Sequence, residues 1–344
     1  SAVSQIKSSF NPYTVVVMKS TVPLDAFELM RHELSEDFQE GNDFDIVSNP
    51  EFLREGKAVF DFFNPDRIVV GTNSEKAFQI IKDMYIKLID RNKGLGGVIE
   101  QNKIVPVLKT SLASAQMIKY GSNAFLATRI SFINELAELC EYVGADIKEV
   151  SSGMGLDPRI GNSYLQPGPG FGGPCLEKDL NALNVLATNR GLSLKIFEQV
   201  FQRNSVQIDE IIRKIKEKVR VLEGVSLTIW GLSFKAGTDD TRNSSSLRLI
   251  KTLTESNVQI KVFDPVATID ETDYKNLEVF EDPYLSVSGS EALIIMTEWE
   301  EFLKYDYTKI FQLMKNKNIV DARNILDSSL LKSLGFSYVG IGFS

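Results

Sequence analysis

The sequence predicts an α/β protein in which a helical middle region separates two sheets. Residues 13–71 and 225–340 contain short β-branched runs bounded by turn residues, which is typical of buried strands in α/β sheets. Residues 111–218 instead show helical periodicity, interrupted by a glycine-rich loop. We therefore predict a partial doubly wound sheet, an all-helical centre and a second doubly wound sheet, divided as residues 1–108, 109–220 and 221–344.

The first region contains three predicted strands and two predicted amphipathic helices. The strands are residues 13–18, 44–47 and 67–71, and the helices are residues 24–34 and 75–88. In an open α/β sheet the carboxyl ends of the strands face the ligand-binding crevice. The segments KSTVP (19–23) and NPEFLREG (49–56) follow the first two strands, so both are predicted to lie at that crevice.

Three side chains in these two segments have both a functional and a structural interpretation. Thr21 is either a ligand contact or the N-cap of the following helix, and its residue type favours the cap. Glu51 and Glu55 are four residues apart. They form either the acidic first turn of a helix, which the helix dipole favours, or a carboxylate pair directed into the crevice.

The start of the chain carries no G-x-G-x-x-G motif. A doubly wound sheet that binds a dinucleotide normally has this motif on its first strand–helix turn. We therefore expect the first region to be only the later part of a dinucleotide-binding domain.

The helical middle region begins with sustained periodicity over residues 111–142. Lys119 and Asn123 are four residues apart and share one face of this helix. Lys119 either extends its ammonium group to the surface, as lysines on apolar helices usually do, or lies buried as an oxyanion stabiliser. Further helices are predicted at residues 176–189 and from a cap at Ser193 to residue 218. The last is long enough to be a dimer interface or an interdomain spine.

The most informative stretch is PGPGFGGPCLEKD, residues 167–179. Its alternating glycines and prolines exclude a helix or central strand and favour a loop that a ligand can approach closely. Cys175 ends this loop at the start of a helix, where the helix dipole and Lys178 favour the nucleophilic thiolate. Asp179 follows on the same helix face. The alternative is a buried structural cysteine, but the loop composition and the neighbouring charges favour a nucleophile.

The last region predicts a second α/β unit. Its strands are residues 225–230, 259–263, 292–296, 318–321 and 337–340, and its first helix is residues 244–256. Between the first strand and that helix lies a modified glycine loop with Lys235 and Arg242. These two cations suit phosphate groups or are exposed charges on a turn, and spacing does not decide between these possibilities. Arg323 follows a strand at its crevice end.

Composition narrows the function classes. The 344 residues are 43% hydrophobic with a net charge of −8 and a pI near 5.0, which argues against nucleic acid and anionic membranes as partners. Cys140 and Cys175 do not resemble a disulfide framework, so a reducing cytoplasm is predicted. The sequence contains one histidine, His32, so acid–base chemistry must use carboxylates, lysine or water. No apolar run is long enough to span a membrane, and no metal site is predicted.

Six sequence blocks, in this order, resemble the UDP-glucose 6-dehydrogenase family within the UDP-glucose/GDP-mannose dehydrogenases. They are KSTVP (19–23), NPEFLREG (49–56), PDRIVVG (65–71), FGGPCLEKD (171–179), GLSFK (231–235) and TDDTR (238–242). The resemblance implies Rossmann-like sheets at both ends, NAD as cofactor, a UDP-sugar substrate and a homodimer through the central helices. Compared with the family, this chain lacks the first ~100 residues, which carry the glycine motif, so it resembles an amino-terminally truncated member whose turnover alone is doubtful.

The same resemblance implies a two-step oxidation of a sugar C6 alcohol to a carboxylate, with two NAD reduced. Cys175 would attack the intermediate aldehyde, and a thiohemiacetal and then a thioester would form. Lys119 and Asn123 would hold the developing oxyanion. Asp179 and a water held with Thr21 would manage the proton of the first step, and Glu51 would activate the water that hydrolyses the thioester.

The family's binding residues map onto this sequence at matching positions. The implied substrate contacts are Glu51, Phe52, Leu53, Lys119, Asn123, Arg159, Gln166, Gly168, Gly170, Phe171, Gly172, Phe234, Lys235 and Arg323. Arg159 would reach the site of the neighbouring subunit. The implied cofactor contacts are Thr21, Glu55, Lys178 and Arg242.

Three alternatives remain at this point. One is another nucleotide-sugar dehydrogenase: GDP-mannose dehydrogenases share NPEFLRE but usually lack PDRIV, and UDP-N-acetylhexosamine dehydrogenases replace the NPEFL and CxxKD blocks and fit poorly. A catalytically incompetent UDP-sugar-binding fragment is suggested by the absent glycine motif. A structural dimer module, with the glycine-rich loop as a linker, would leave the charges around Cys175 without a purpose.

Overall fold

The computed structural model describes residues 2–10, 12–23, 25–92 and 104–343. The chain divides into two compact units, residues 1–122 and 123–344, and each is described by itself. The three-domain division at 108/109 and 220/221 stays a prediction. Within the described ranges, no helix is both long and apolar enough to cross a bilayer.

Among its described residues, the first unit holds a four-stranded sheet in the order β1-β2-β3-β4. The strands are β1 Thr14–Met18, β2 Phe44–Ser48, β3 Ile68–Gly71 and β4 Val107–Thr110. The helices are α1 Ala2–Lys7, α2 Ala26–Ser35, α3 Ala58–Phe63 and α4 Glu75–Asn92. The pairs β1–β2 and β3–β4 are parallel, whereas β2 and β3 are antiparallel and are paired at Ser48 and Gly71. The three predicted strands are present, and β4 was not predicted.

Helices cover both faces of this sheet. On one face Phe27, Met30 and Leu34 of α2 pack against Phe44 and Ile46, and the spacing of the three helical residues forms one apolar stripe. On the other face, residues of α4 pack against residues 47, 68 and 70 of β2 and β3. Burial on both faces explains why β3 is a continuous apolar run in the sequence and why every residue of β2, Asp45 included, is buried.

The second unit contains a six-stranded, wholly parallel sheet in the order β10-β9-β8-β5-β6-β7. The strands are β5 Ser226–Trp230, β6 Gln259–Phe263, β7 Leu277–Phe280, β8 Ala292–Ile295, β9 Asn318–Asp321 and β10 Ser337–Gly340. The chain reverses its direction of travel across the sheet between β5 and β8, and ligands bind at such a switch point in open parallel sheets. The strand β7 was not predicted.

Helices precede the first of these strands and connect later ones. They are α5 Leu112–Val143, which begins in the first unit, α6 Ile147–Gly155, α7 Leu176–Thr188, α8 Lys195–Val219, α9 Ser245–Thr254, α10 Pro283–Val287, α11 Tyr307–Leu313 and α12 Ser328–Ser333. Short 3-10 helices are formed by Glu271–Asp273 and Glu300–Leu303. The predicted cap at Ser193 is wrong, because Leu194 is the N-cap of α8. The Ser193 hydroxyl instead donates to Glu198.

The core of the second unit lies on both faces of its sheet. One cluster joins Ile208, Ile211 and Ile215 of α8 to the strand residues Leu227 and Ile229. Burying each such side chain contributes about 1.5–3 kcal/mol relative to leaving it exposed. A second cluster on the opposite face is rich in aromatic side chains and surrounds the fully buried Trp230. The two clusters hold the carboxyl ends of the strands in a fixed arrangement.

Candidate active site

In the first unit, the segments after β1 and β2 leave the same edge of the sheet because these two strands are parallel. The Lys19 ammonium group donates to Asn49 Oδ1 at 3.0 Å and to the Tyr85 hydroxyl at 2.8 Å. The Tyr85 hydroxyl donates to the same Asn49 oxygen at 2.7 Å. Hydrogen bonds therefore join the first residues of the two predicted crevice segments. We call Lys19, Asn49 and Tyr85 the Lys19 network.

Glu51 and Lys119 form an ion pair in the first unit. The Lys119 Nζ atom lies 3.0 Å from Glu51 Oε1, and the lysine side chain is only 7% exposed. The surface interpretation of Lys119 is therefore wrong. The ring of Phe52 lies beneath this ammonium group, with its centroid 5.4 Å away. The pair is oriented further by the Leu53 N–H, which donates to Glu51 Oε2 at 2.6 Å.

Two structural interpretations of this region fail. Residues 51–54 are irregular, so Glu51 does not begin a helix. The N-cap of α2 is Asp25, so Thr21 does not cap that helix. Thr21 and Glu55 are half-buried on the two segments that leave the carboxyl ends of β1 and β2. That edge is where an open sheet binds a dinucleotide, so their placement fits NAD.

In the second unit, Cys175 is the N-cap residue of α7 and is exposed. The interpretation as a buried structural cysteine is therefore wrong. The Asp179 N–H donates to the Cys175 carbonyl at 2.9 Å, which closes the first helical turn. The unpaired N–H groups of a helix start place partial positive charge near the sulfur and favour its thiolate form.

Asp179 lies one turn into α7 and is 1% exposed. Its Oδ2 atom accepts a hydrogen bond from Asn123 Nδ2 at 2.6 Å, and its Oδ1 atom lies 3.3 Å from Lys178 Nζ. An asparagine amide has two N–H donors, so one of those of Asn123 is committed to Asp179. The carboxylate thereby fixes the orientation of Asn123.

The glycine-rich loop is packed tightly within the second unit. A Cβ atom on Gly172 would lie 2.5 Å from the Asn243 carbonyl oxygen and 3.3 Å from Phe234 Cβ. A Cβ atom on Gly168 would lie 3.4 Å from Arg323 Nη1. The prediction of close approach is thus met here by the protein's own residues. Gln166, at the start of the loop, is exposed.

Arg323 follows β9 at its carboxyl end. Its Nε atom donates to the Met296 carbonyl at 2.9 Å, and its Nη2 atom donates to the Phe234 carbonyl at 3.2 Å. The Arg323 N–H donates to Asp321 at 3.0 Å. Burial raises the pKa of Asp321, while hydrogen bonds from backbone N–H groups and from the Tyr338 hydroxyl oppose that rise. The Lys235 ammonium group lies 5.5 Å from the centroid of the Phe234 ring.

Two predicted arginines lie on exposed turns. Arg159 and Arg242 each pair with an aspartate two residues earlier, Asp157 and Asp240 respectively. Lys178 is exposed as well. The structure therefore leaves the guanidinium groups at the surface, where their predicted roles toward a neighbouring subunit and toward the cofactor stay predictions.

The sequence interpretation missed a set of buried side-chain amides. Asn134, Asn204 and Gln207 lie on α5 and α8 and are 2%, 6% and 1% exposed. Each occupies a position where helical periodicity would place an apolar residue. That mismatch is the feature of the sequence that could have predicted a buried amide. All three hydrogen-bond to the glycine-rich loop.

The whole chain is similar to known proteins. It is 41% identical over 348 residues to the UDP-glucose 6-dehydrogenase of Rickettsia bellii, with 99% of this chain and 76% of that protein covered. The chain belongs to the UDP-glucose/GDP-mannose dehydrogenase family. Residues 1–89 match the family's NAD binding domain, residues 113–206 its central domain and residues 228–328 its UDP binding domain.

The chain is also similar to other members of the UDP-glucose/GDP-mannose dehydrogenase family. The UDP-glucose 6-dehydrogenase TuaD of Bacillus subtilis is 37% identical, with 99% of this chain and 71% of that protein covered. The structure of a UDP-glucose dehydrogenase from Pyrobaculum islandicum superposes with a TM-score of 0.83 at 32% identity, covering 98% of this chain and 73% of that one. A UDP-D-ManNAc dehydrogenase from Pyrococcus horikoshii also gives a TM-score of 0.83, but at 24% identity it shows the fold alone.

These findings settle several predictions. The α/β fold with a helical centre is confirmed, as are NAD as the cofactor and the general class of NAD-dependent nucleotide-sugar dehydrogenase. The chain spans about three quarters of the length of the relatives named above. Because residues 1–89 match the NAD binding domain, the doubt about activity that rested on the absent glycine motif is not borne out.

Proposed function

We propose that the chain is a UDP-glucose 6-dehydrogenase that converts UDP-glucose to UDP-glucuronate through a covalent intermediate on Cys175. The observation that carries this proposal is the exposed thiol at the start of α7, one turn before the buried Asn123–Asp179 pair. A second pair, the half-buried Glu51 with the buried Lys119, supplies the acid–base groups that a protein with one histidine must take from elsewhere.

The first oxidation removes a hydride and a proton from the C6 alcohol. NAD, when bound, accepts the hydride, and Thr21 and Glu55 are the contacts that we assign to it in the first unit. In the second unit we assign Lys178 and Arg242 as contacts to the cofactor. Asp179 receives the proton through a water that Thr21 helps to hold.

The second oxidation uses the thiol. The Cys175 thiolate adds to the C6 aldehyde and forms a thiohemiacetal, whose oxygen is stabilised by the Lys119 ammonium group and the Asn123 amide. Transfer of the C6 hydride from the oxyanion form of this adduct, to a second NAD when bound, would convert the adduct to a thioester. Glu51 then takes a proton from water, and the resulting hydroxide adds to the thioester carbon. The tetrahedral adduct expels the Cys175 thiolate, and the product acid gives its proton to solvent to become the carboxylate. The ion pair to Lys119 orients Glu51 for this step.

We assign substrate binding to two groups of residues. In the second unit, Lys235 and Arg323 provide positive charge for the diphosphate, and Phe234 lies beside both. The remaining assigned contacts there are Gln166, Gly168, Gly170, Phe171, Gly172 and, from a neighbouring subunit, Arg159. In the first unit they are Phe52 and Leu53, next to Glu51.

We also propose a homodimer through the central helices. Phe125, Phe132 and Leu139 recur every seven residues on α5 and are 61%, 50% and 56% exposed. Such a stripe of large exposed side chains is typical of a protein–protein interface. Replacing Phe132 by Glu should halve the molar mass measured by light scattering, whereas an unchanged mass would contradict the proposal.

The domain limits and the compartment are further proposals. We retain residues 1–108 as the NAD-binding domain, 109–220 as the central helical domain and 221–344 as the UDP-sugar-binding domain. A catalytic thiol must stay reduced, which favours the cytoplasm.

The test is the amount of NADH formed per UDP-glucose consumed. We expect two NADH per sugar, no turnover by Cys175→Ser and normal turnover by the matched control Cys140→Ser. Undiminished turnover by Cys175→Ser would contradict the mechanism. Binding of UDP-glucose with no NADH formed would favour the non-catalytic fragment. Faster turnover of GDP-mannose or a UDP-N-acetylhexosamine would reassign the sugar while leaving the chemistry intact.

A further inference from the structure

The glycine-rich loop is held at two residues by side chains from α5 and α8. At Gly168, the N–H donates to Asn134 Oδ1 at 2.8 Å and the carbonyl accepts from Gln207 Nε2 at 2.8 Å. At Phe171, the N–H donates to Asn204 Oδ1 at 2.8 Å and the carbonyl accepts from Asn204 Nδ2 at 3.0 Å. Both polar backbone groups of both residues are therefore satisfied by side-chain amides.

The geometry around Asn204 is closely constrained. Its amide pairs with Phe171 through two hydrogen bonds, as a neighbouring strand would, and fixes both the position and the orientation of that peptide group. Gly170 has a φ of +92°, and a Cβ atom there would lie 2.5 Å from Asn204 Oδ1. The amide consequently occupies the space that any other side chain at residue 170 would need. Arg248 Nη2 adds a further hydrogen bond to the Phe171 carbonyl at 2.9 Å.

The loop between this anchor and the thiol is short. Cys175 follows Phe171 by four residues, and midway between them the Gly173 N–H donates to the Arg242 carbonyl at 3.1 Å. The chain is thus held at residues 171 and 173 and enters α7 at Cys175. A displacement of Phe171 would move the start of α7, and with it the sulfur atom.

We infer that Asn204 is a positioning residue for the reaction, acting through Phe171 on the placement of Cys175, with Asn134 and Gln207 as secondary anchors. This inference rests on the proposed function. It also revises one part of it: the N–H groups of Gly168 and Phe171 hold the loop and do not bind the sugar. We therefore assign the loop's backbone contacts with the substrate to Gly170 and Gly172.

The first test measures the anchor without using activity. The amide hydrogen of Phe171 should exchange slowly in the substrate-free protein and at least about tenfold faster in Asn204→Ala, because this N–H loses its buried acceptor, Asn204 Oδ1. The matched control is Gln202→Ala, an exposed position on the same helix, in which exchange should be unchanged. Fast exchange in the unmodified protein would overturn the anchor itself.

The second test measures the consequence for the chemistry. In Asn204→Ala we expect kcat with UDP-glucose to fall about a hundredfold, since misplacement of a reacting group by about 1 Å has that effect. The KM for NAD should change much less than kcat, because the hydrogen bonds that Asn204 loses are to Phe171 and not to the assigned cofactor contacts. A loss of stability alone would instead lower the active fraction and leave kcat per folded molecule unchanged.

A second variant keeps the inference testable if Asn204→Ala does not fold. Gln207→Met keeps the side-chain length and removes only the donor to Gly168, and it should show a smaller fall in kcat in the same direction. If both variants fold and keep kcat within about threefold of Gln202→Ala, the inference is wrong. If the unmodified protein forms no NADH but the exchange result holds, the proposed function fails and the anchor stands.

Discussion

The two units use buried polar residues in different ways. In the first unit the charged groups nearest the crevice edge are the buried Lys119, which pairs with the half-buried Glu51, and the ammonium group of the exposed Lys19. In the second unit the groups around the glycine-rich loop are mostly neutral amides, Asn134, Asn204 and Gln207. A charge is costly to bury and is retained where its field is needed, whereas an amide holds a backbone at lower cost. Under the proposed function, the charged pair of Lys119 and Glu51 takes part in the reaction, whereas the amides of Asn134, Asn204 and Gln207 support the loop.

The largest expected effect comes from removing the charge at the crevice edge. Lys119→Met should lower kcat about 100- to 1,000-fold, because a preorganised donor to the oxyanion is lost. Steady-state NADH formation at saturating substrate measures this. Lys87→Met is the control, since Lys87 is exposed on α4 and should retain full activity. A normal kcat in Lys119→Met would show that this charge does not contribute to the reaction, and the proposed difference between the two units would then be wrong.

The next largest effect distinguishes the role of Glu51 from that of Lys119. Glu51→Gln should still oxidise the sugar twice but should hydrolyse the thioester about 100-fold more slowly, since its general base is missing. Rapid mixing should therefore show a burst of two NADH per active site followed by a slow phase. A slow reaction with no burst would place Glu51 before the second oxidation and not after it.

The support in the second unit predicts a stability effect. Gly170→Ala should cost about 1–3 kcal/mol of unfolding free energy through the positive φ, with a further cost from the contact with Asn204. Gly191→Ala is the matched control, because Gly191 has a φ of +72° but nothing within 4 Å of the added Cβ atom. Urea denaturation of the two variants isolates the contact. Equal losses in both would mean that Asn204 does not support the loop as tightly as described.

The smallest effect concerns a charge in the second unit that has a structural role. Glu141 accepts hydrogen bonds from Lys214, Arg213 and the Gly342 N–H. Burial opposes ionisation of Glu141, but these donors outweigh it and hold its pKa below the ordinary 4.5. Glu141→Gln should cost about 1 kcal/mol at pH 7.

The pH dependence of that cost follows from the sign of the shift. Because the folded pKa of Glu141 lies below the unfolded one, its stabilisation is fully present above pH 4.5 and is lost as the pH falls through the folded value. The difference in unfolding free energy between the unmodified protein and Glu141→Gln should therefore shrink below pH 4.5. A difference that is constant from pH 7 to pH 3 would show that the carboxylate charge is not involved.

The fold was predictable where burial on both faces leaves a continuous apolar run, as in β3 and β8, or a mostly apolar one, as in β2, β5 and β9. The two missed strands lack this signature. β4 contains Lys109, with no residue of the strand fully buried, and β7 contains the exposed Glu278. The antiparallel pairing of β2 with β3 was not predictable either, because strand direction depends on the path of the intervening chain and leaves no local pattern.

The candidate site was predictable where one local segment supplies several groups. Cys175, Lys178 and Asp179 share one helix start, so their proximity followed from spacing. The partner of Lys119 is Glu51, 68 residues earlier, and spacing says nothing about such a contact. The amide of Asn204 was missed because a single polar residue on a helix is ordinarily interpreted as part of the solvent-exposed face, and only its 6% exposure shows otherwise.

The central claim is that the sugar becomes bonded to Cys175 between the two oxidations. Acid quenching of Glu51→Gln during the burst phase, followed by proteolysis and mass spectrometry, tests it directly. We predict that the peptide containing Cys175 carries the mass of a UDP-glucuronyl thioester and that the peptide containing Cys140 is unmodified. An unmodified Cys175 peptide, while two NADH per site are still formed in the burst, would contradict the account.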